Sequence, residues 1–219
     1  MSDENGHIHD LLRKLNTEFD STASRVGIVL AAGHGKRIRS ETSKMLHPIW
    51  GRPSALRVAE AVYSGLESPN QVVVVGMKGA DVIRSTGSKP GRVFAYQENP
   101  ALGLPAGTGD AARIALEAFE NSGNDRDIYI FPGDMGLLTA DVVSRFRSIF
   151  ESSSADMMML TGQYSGSVES NYYGRILRVP ETDASGSPSG TDRGCVIEIR
   201  QHRDILAQDD ETPYEVVYN

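Results

Sequence analysis

The sequence lacks the features that mark secreted proteins and membrane proteins. Its 219 residues contain one cysteine, Cys195, which excludes an internal disulfide and a zinc site built from several cysteines, and which fits a reducing compartment. No apolar run approaches the ~18 residues that a membrane-spanning helix needs. The N-terminal residues, MSDENGHIHD, are acidic and polar, unlike a secretory signal. We therefore expect a cytoplasmic protein that does not associate with membranes.

The chain also has less positive than negative charge. Its 22 Lys and Arg residues stand against 29 Asp and Glu residues, which gives a formal net charge of −7. Nucleic acids and anionic membranes select basic surfaces, so the net charge argues against broad binding to either. The hydrophobic content of 39% and the charged content of 23% are those of an ordinary globular protein. The length is sufficient for one large α/β domain, or at most for two small ones.

Against that acidic background, one stretch concentrates glycine and positive charge. An apolar run from Val26 to Ala32 predicts a buried parallel strand. The loop after it carries two glycines and four cations: Gly33, Gly35, Lys36, Arg37, Arg39 and Lys44. The two glycines allow a tight turn in which backbone N–H groups face a ligand, and the cations suit several phosphate charges. The pattern indicates a nucleotide-phosphate site; the alternative is an ordinary turn with solvated Lys and Arg side chains.

Strands alternate with helices through the middle of the chain. Apolar and β-branched runs predict further strands at 71–75, 92–96, 127–131 and 156–161. Apolar residues at helical spacing predict helices at 54–66, 80–85, 109–119 and 140–150. This alternation predicts an α/β fold: a Rossmann-like, mostly parallel sheet with helices on both faces.

The two ends of the chain differ from this pattern. Helical spacing from Ile8 to Phe19 predicts an amphipathic helix, so residues 1–24 are expected to form an extension of a domain over 25–219. We expect the helix to pack on its own domain; a partner-binding helix is the alternative. Runs at 173–179 and 195–200 predict a β-hairpin in the C-terminal part. The chain stops in the strand-like run YEVVYN, so we expect the domain to be truncated there.

Two further loops fall at the carboxyl ends of the predicted strands, where open α/β sheets bind ligands. Asp134 follows the strand at 127–131, and a carboxylate facing a phosphate loop suits Mg²⁺, which takes one or two protein carboxylates besides substrate phosphates. The alternative is an aspartate that caps a turn or a helix. Gly107, Thr108 and Gly109 begin a helix whose N–H groups can bind a base edge or a phosphate.

These motifs, in this order, resemble those of the sugar-1-phosphate nucleotidyltransferases. The segments are LAAGHGKRIRS, SKMLHPIWGRP, QENP, GTGDA, PGDM, YYGRI and VIEIRQHRDI. Within that family the chain is most similar to the pyrophosphorylase domain of bacterial N-acetylglucosamine-1-phosphate uridylyltransferases, from Val26 to Asn219. The resemblance implies a glycosyltransferase-A-like nucleotidyltransferase fold and Mg²⁺ as the cofactor.

The resemblance also implies roles for individual residues. Arg37 and Lys44 would hold the triphosphate and stabilise its charge as pyrophosphate leaves, and Asp134 would bind the catalytic Mg²⁺. Backbone contacts to the nucleotide would come from Leu30, Ala31, Ala32 and Gly33. The uracil edge would be read by Gln97, Gly107 and Thr108. The amino sugar would be contacted by Gly174, Glu198 and Asn219.

The reaction implied by the resemblance joins a nucleoside triphosphate to a sugar 1-phosphate. An oxygen of N-acetylglucosamine 1-phosphate would attack the α-phosphorus of UTP in line and release pyrophosphate. No covalent intermediate is needed, so catalysis is positioning plus neutralisation of charge. Two alternatives stay open: a cytidylyltransferase with another phosphorylated acceptor, and a nucleotide- or sugar-binding module with weak catalysis. The oligomeric state is open as well.

The chain departs from the family pattern at several points. Residues 104–106 are inserted before GTG, which leaves the identity of the base open. Ser43 and Gly136 stand where the family has proline, and we expect Gly136 to loosen the loop after Asp134. The family's second metal ligand, an asparagine farther downstream, has no counterpart before the chain ends.

Overall fold

The computed structural model describes residues 2–33, 42–76, 78–98, 107–119, 125–167, 170–182 and 185–200. The chain divides into two units, Met1–Met158 and Met159–Asn219. Within the described residues, none of the helices is long and apolar enough to cross a membrane.

The first unit contains a parallel sheet surrounded by helices. Its strands are β1 (Arg25–Ala31), β2 (Pro48–Ile49), β3 (Arg52–Pro53), β4 (Gln71–Val75), β5 (Arg92–Tyr96) and β6 (Asp127–Pro132). Its helices are α1 (Ser2–Leu15), α2 (Ser54–Gly65), α3 (Gly79–Thr86), α4 (Thr108–Glu117) and α5 (Ala140–Glu151). Strands β5, β4, β1 and β6 lie side by side in that order and all pair in parallel. The short strands β2 and β3 form a separate antiparallel hairpin.

The sheet is buried on both faces, as the apolar runs predicted. Val72, Val73, Val74 and Val75 in β4 are all fully buried, because a central parallel strand is covered on each side by helices. One apolar cluster joins the inner strands to α2 and α5, and a second joins the opposite face to Ala111 and Ala115 of α4. The predicted α/β fold with helices on both faces is therefore confirmed.

Helix α1 packs on the core of the first unit, and the residue after it contacts the edge strand β5. Ile8 is buried, and Leu11, Leu12 and Leu15 pack against the apolar cluster. The helix ends at Leu15 rather than at Phe19 as the sequence predicts. The reason is the next residue, because the side chain of Asn16 hydrogen-bonds both backbone groups of Phe94 in the edge strand β5.

The strand predicted at 156–161 does not form. Residues 157–165 follow α5 with no assigned secondary structure. An apolar run becomes a strand only when its backbone pairs with a neighbour, and the side chain of Met157 is 82% exposed. Strand β6 pairs with β1 on one side, and its side chains Ile128 and Ile130 are exposed.

The second unit contains the predicted β-hairpin. Strand β7 (Arg175–Arg178) pairs with β8 (Val196–Arg200) in antiparallel fashion, with a bulge between Leu177 and Arg178. Between them lies an isolated bridge from Thr182 to Pro188. The terminal run YEVVYN lies outside the described residues.

Candidate functional site

The carboxyl end of β1 brings the chain to the predicted phosphate site. Of the residues expected to contact nucleotide through their backbone, Ala31 and Ala32 are buried, while Gly33 emerges at the surface. A Cβ at Gly33 would lie 3.2 Å from Cε of Lys44, so the absence of a side chain there lets the lysine pass close to the backbone. The carbonyl of Leu30 accepts a hydrogen bond from the N–H of Gly133.

Lys44 is held by a short 3-10 turn over Lys44–Leu46. Met45 in that turn is buried at 2% exposure and anchors it in the main core cluster. Ser43, which replaces the family's proline, precedes the turn, and its hydroxyl accepts a hydrogen bond from the N–H of Met45 at 3.4 Å. The lysine backbone is thus fixed to the core, while its side chain passes over Gly33.

Lys44 and Asp134 form an ion pair at this end of the sheet. The Nζ of Lys44 lies 2.5 Å from Oδ2 of Asp134, and the two side chains are 26% and 39% exposed. The structure therefore brings together a cation from the loop after β1 and the carboxylate after β6. Both side chains remain accessible to a ligand.

The loop after β6 is held closely rather than loosened by Gly136. A Cβ at Gly136 would come within 2.4 Å of Cδ1 of Ile49 and 2.7 Å of Oγ of Ser54. The prediction that this glycine loosens the loop is wrong, because its backbone packs against β2 and the start of α2. Arg57 adds a hydrogen bond from its Nε to the carbonyl of Gly136 at 2.6 Å.

Asp134 has the chemistry of a partial Mg²⁺ site. Mg²⁺ prefers oxygen ligands and takes one or two protein carboxylates, completed by substrate phosphates and water. The accessible carboxylate of Asp134 fits that donor set. Its Oδ2 already has a cationic partner, the ammonium of Lys44. Among the described residues there is no group of three His, Cys, Asp or Glu side chains that could hold a metal ion.

A second cluster joins β5 to the start of α4. The amide nitrogen of Gln97 donates to Oδ2 of Asp110 at 2.8 Å and to the carbonyl of Gly107 at 3.2 Å. Gly107 precedes the helix with φ of +102°, a backbone conformation that glycine adopts readily and other residues avoid. The structure thus brings the predicted base-reading residues Gln97, Gly107 and Thr108 together.

Asp110 also belongs to this cluster, although the motifs of the sequence did not identify it as a site residue. It lies in the first turn of α4, where a carboxylate stabilises the helix dipole, and it also accepts hydrogen bonds from Gln97 and from Arg113. These two contacts, the one from Gln97 first, lower the pKa of Asp110 below its ordinary value. A carboxylate in the first turn of a helix is a common pattern, so nothing in the local sequence indicates the contact with Gln97.

Of the remaining predicted site residues, the structure describes two and leaves three undescribed. Arg37, Gly35, Asn219 and the insertion at 104–106 are outside the described residues. Gly174 and Glu198 belong to the second unit, where Gly174 precedes β7 and Glu198 pairs opposite Leu177. Hydrogen bonding to Arg200 lowers the pKa of Glu198.

The fold and these loops define a nucleotidyltransferase domain, and residues 27–204 match the MobA-like NTP transferase domain. The chain belongs to that family. A structure described as "Putative Glucose-1-Phosphate Thymidylyltransferase" from Bacillus anthracis has the same fold, with a TM-score of 0.53 at 18% identity over 81% of this chain and 64% of that one.

The chain is similar in sequence to proteins named bifunctional protein GlmU. It is 31% identical to that of Caldicellulosiruptor saccharolyticus over 83% of this chain and 34% of the relative. It is 33% identical to that of Sorangium cellulosum over 83% of this chain and 35% of the relative. The chain therefore spans about a third of the length of the curated relatives that it matches. The resemblance inferred from the motifs is confirmed at the level of the family.

Proposed function

We propose that this chain catalyses transfer of a nucleotidyl group from a nucleoside triphosphate to a sugar 1-phosphate. UTP and N-acetylglucosamine 1-phosphate are the first candidates, because the motifs of the sequence resemble those of N-acetylglucosamine-1-phosphate uridylyltransferases. The observation that carries the proposal is the Lys44–Asp134 pair at the carboxyl ends of β1 and β6. An open α/β sheet binds its ligand at that edge, and the pair offers one group for phosphate and one for a cation.

In this proposal Lys44 moves from Asp134 to the triphosphate when substrate binds. An oxygen of the sugar 1-phosphate attacks the α-phosphorus, the bond from that phosphorus to the bridging oxygen breaks, and pyrophosphate leaves with the bonding electron pair. Negative charge grows on the leaving group and on the α-phosphate oxygens, where the ammonium of Lys44 stabilises it. Arg37 is proposed as a second cation at the triphosphate.

Asp134 is the residue proposed to hold Mg²⁺, with the remaining ligands from substrate phosphates and water. When bound, the ion would neutralise phosphate charge and fix the geometry of the reacting groups. Lys44, which pairs with Asp134 here, would then contact the triphosphate instead, because the carboxylate of Asp134 would serve the ion.

The nucleotide base is proposed to lie near Gln97 and the start of α4. The Gln97 amide is oriented by Asp110 and by the carbonyl of Gly107, which fixes the face that it presents to a ligand. The surrounding backbone contacts are proposed to come from Thr108 and from Leu30, Ala31, Ala32 and Gly33. Gly174, Glu198 and Asn219 are proposed to contact the sugar.

The test is pyrophosphate release by the purified chain with each of four nucleoside triphosphates and a panel of sugar 1-phosphates, with and without Mg²⁺. We expect release only when both substrates and the metal are present, and fastest with UTP and N-acetylglucosamine 1-phosphate. Turnover only with CTP and another phosphorylated acceptor would replace the proposal by a cytidylyltransferase. Nucleotide binding without turnover for any pair would replace it by a binding module.

A further inference from the structure

Ser54 connects the two segments that carry Lys44 and Asp134. It is the first residue of α2 and is 2% exposed. Its backbone N–H donates to the carbonyl of His47 at 3.1 Å, three residues after Lys44. Its hydroxyl donates to the carbonyl of Gly133 at 3.1 Å, one residue before Asp134. A single buried residue therefore contacts both segments of the ion pair.

Arg57 holds the other side of the Asp134 loop. Its Nε donates to the carbonyl of Gly136 at 2.6 Å, and its guanidinium carbon lies 4.7 Å from the ring centre of Trp50. Ser54 and Arg57 lie one helical turn apart, so their side chains project from the same face. The two hydrogen bonds thus bracket Asp134, one at the residue before it and one two residues after it.

The dipole of α2 does not favour an arginine at position 57. A cation in the first turn of a helix meets the positive end of the helix dipole, which disfavours it. The contacts of Arg57 with Trp50 and with the carbonyl of Gly136 offset this unfavourable interaction with the dipole. Trp50 itself takes a left-handed conformation, φ +49°, at the turn between β2 and β3, which tryptophan adopts only under constraint.

Gly136 allows the loop to approach these residues. The space that a Cβ would need at Gly136 is taken by Ile49 and by the hydroxyl of Ser54. The loop backbone therefore lies directly against the start of α2, and its carbonyls reach Ser54 and Arg57 without intervening side chains.

We propose that Ser54 and Arg57 are positioning residues that fix the carboxylate of Asp134 relative to Lys44, so that it receives Mg²⁺ at the proposed nucleotidyl-transfer site. The part of this proposal that concerns Mg²⁺ binding rests on the proposed function. The positioning itself does not, because it concerns hydrogen bonds within the chain.

The direct test is hydrogen exchange of the loop amides in Ser54→Ala, measured on the full chain without ligand. The substitution removes the hydroxyl and leaves the backbone N–H. We expect faster exchange at Gly133, Met135 and Leu138, whose N–H groups are bonded within or beside the loop. Arg57→Gln should have the same effect, since it removes the bond to Gly136.

Ser68→Ala is the matched control. Ser68 is also a buried serine, and its hydroxyl donates to a backbone carbonyl, that of Arg25, at 2.7 Å. Arg25 begins β1, at the end of the sheet opposite the site. The Ser68 hydroxyl also accepts a hydrogen bond from the N–H of Asn70 at 3.3 Å. Ser68→Ala should therefore lower stability at least as much as Ser54→Ala, and it should leave exchange at Gly133, Met135 and Leu138 as in the wild type.

The second readout is the Mg²⁺ concentration that gives half-maximal activity. In Ser54→Ala and Arg57→Gln we expect it to rise about five-fold, the factor that corresponds to the ~1 kcal/mol net value of one hydrogen bond. The rate at saturating Mg²⁺ should recover most of the wild-type value, because the reacting groups are still present. Ser68→Ala should leave the Mg²⁺ dependence unchanged.

Unchanged loop exchange in both Ser54→Ala and Arg57→Gln would overturn the positioning role, whatever the activity. So would faster exchange with wild-type Mg²⁺ dependence in an active enzyme, because the contacts would then be only structural. A wild-type chain without turnover would defeat the proposed function, whereas the exchange data would still decide whether these residues fix the loop.

Discussion

At the scale of single residues, the side chain of Lys44 is placed for catalysis and contributes little to stability. Its ion pair with Asp134 joins two partly exposed side chains, and such pairs contribute little to folding, typically ~0–1 kcal/mol. The side chain of Lys44 therefore has no large structural role that would explain its position beside a carboxylate at the ligand-binding edge of the sheet. A substitution there tests the proposed chemistry without unfolding the chain.

Lys44→Ala should lower the rate of nucleotidyl transfer on the order of a hundredfold or more, since a lysine about 4 Å from a phosphate oxygen is worth a few kcal/mol at intermediate dielectric. The measurement is steady-state pyrophosphate release, with the thermal midpoint recorded in parallel. Lys89→Ala is the control, because Lys89 contacts the ring of Tyr63 and precedes β5 at the opposite end of the sheet. If Lys44→Ala retained the full rate, the mechanism proposed for the lysine would be wrong.

Some residues of the site could be identified from sequence and others could not. Asp134 directly follows an apolar strand, so its position at the carboxyl ends of the strands can be predicted from chain order alone. Ser54, Arg57 and Asp110 carry no comparable signal, because each acts through a contact with a residue at least 13 positions away. Only the folded chain shows those contacts.

At the scale of secondary-structure elements, the segment after α1 covers one edge of the sheet. An edge strand presents unpaired backbone groups that invite pairing with other chains. Along β5, Asn16 contacts Phe94 through both atoms of its side-chain amide, and the N–H of Thr17 donates to the carbonyl of Arg92. The amide of Asn16 thus takes the place of a backbone peptide from a neighbouring strand.

Asn16→Ala should lower the free energy of unfolding by about 1–3 kcal/mol, because it leaves the backbone N–H and C=O of Phe94 without this partner. We expect faster hydrogen exchange of the Phe94 amide and an unchanged rate of nucleotidyl transfer. The measurement is urea unfolding combined with exchange. Asn171→Ala, which removes a local bond to the N–H of Tyr173, is the control. An unaltered Phe94 amide would contradict this role for Asn16.

The boundaries of the elements follow the sequence where local chemistry sets them. Strands β4 and β5 have the predicted limits, 71–75 and 92–96, since continuous apolar runs end at polar or glycine residues. Helix α5 begins after Thr139, whose hydroxyl accepts from the N–H of Val142. The strand predicted at 156–161 failed, because an apolar run does not specify which backbone it will pair with.

At the scale of the whole molecule, Tyr129 makes the free energy of unfolding depend on pH in the alkaline range. Its ring is buried among Phe131, Phe146 and Phe150 in the core between the sheet and α5. Burial, reinforced by the charge of Glu151, raises the pKa of Tyr129 to about 12. The folded chain therefore keeps this proton at pH values where the unfolded chain has lost it.

The free energy of unfolding should accordingly fall as the pH rises from the ordinary tyrosine pKa of 10.0 through about 12, because unfolding then releases a proton. Below pH 10 this contribution is fully present. Tyr129→Phe should remove that part of the pH dependence while it changes stability little at neutral pH. The measurement is urea unfolding of both proteins between pH 8 and 11. An equal effect of Tyr172→Phe, which removes an exposed hydroxyl, would contradict the assignment.

The sequence by itself determined the fold class, the family and the ends of most elements. These depend on local properties: the period of apolar residues, the position of glycine after a strand, and motifs that follow each other along the chain. Only the tertiary structure decided which side chains meet. The pairing of Lys44 with Asp134, the bracket of Ser54 and Arg57 around that carboxylate, and the close packing of Gly136 each join segments that are distant in sequence. Such contacts depend on how helices and strands pack, which the local pattern of residues does not encode.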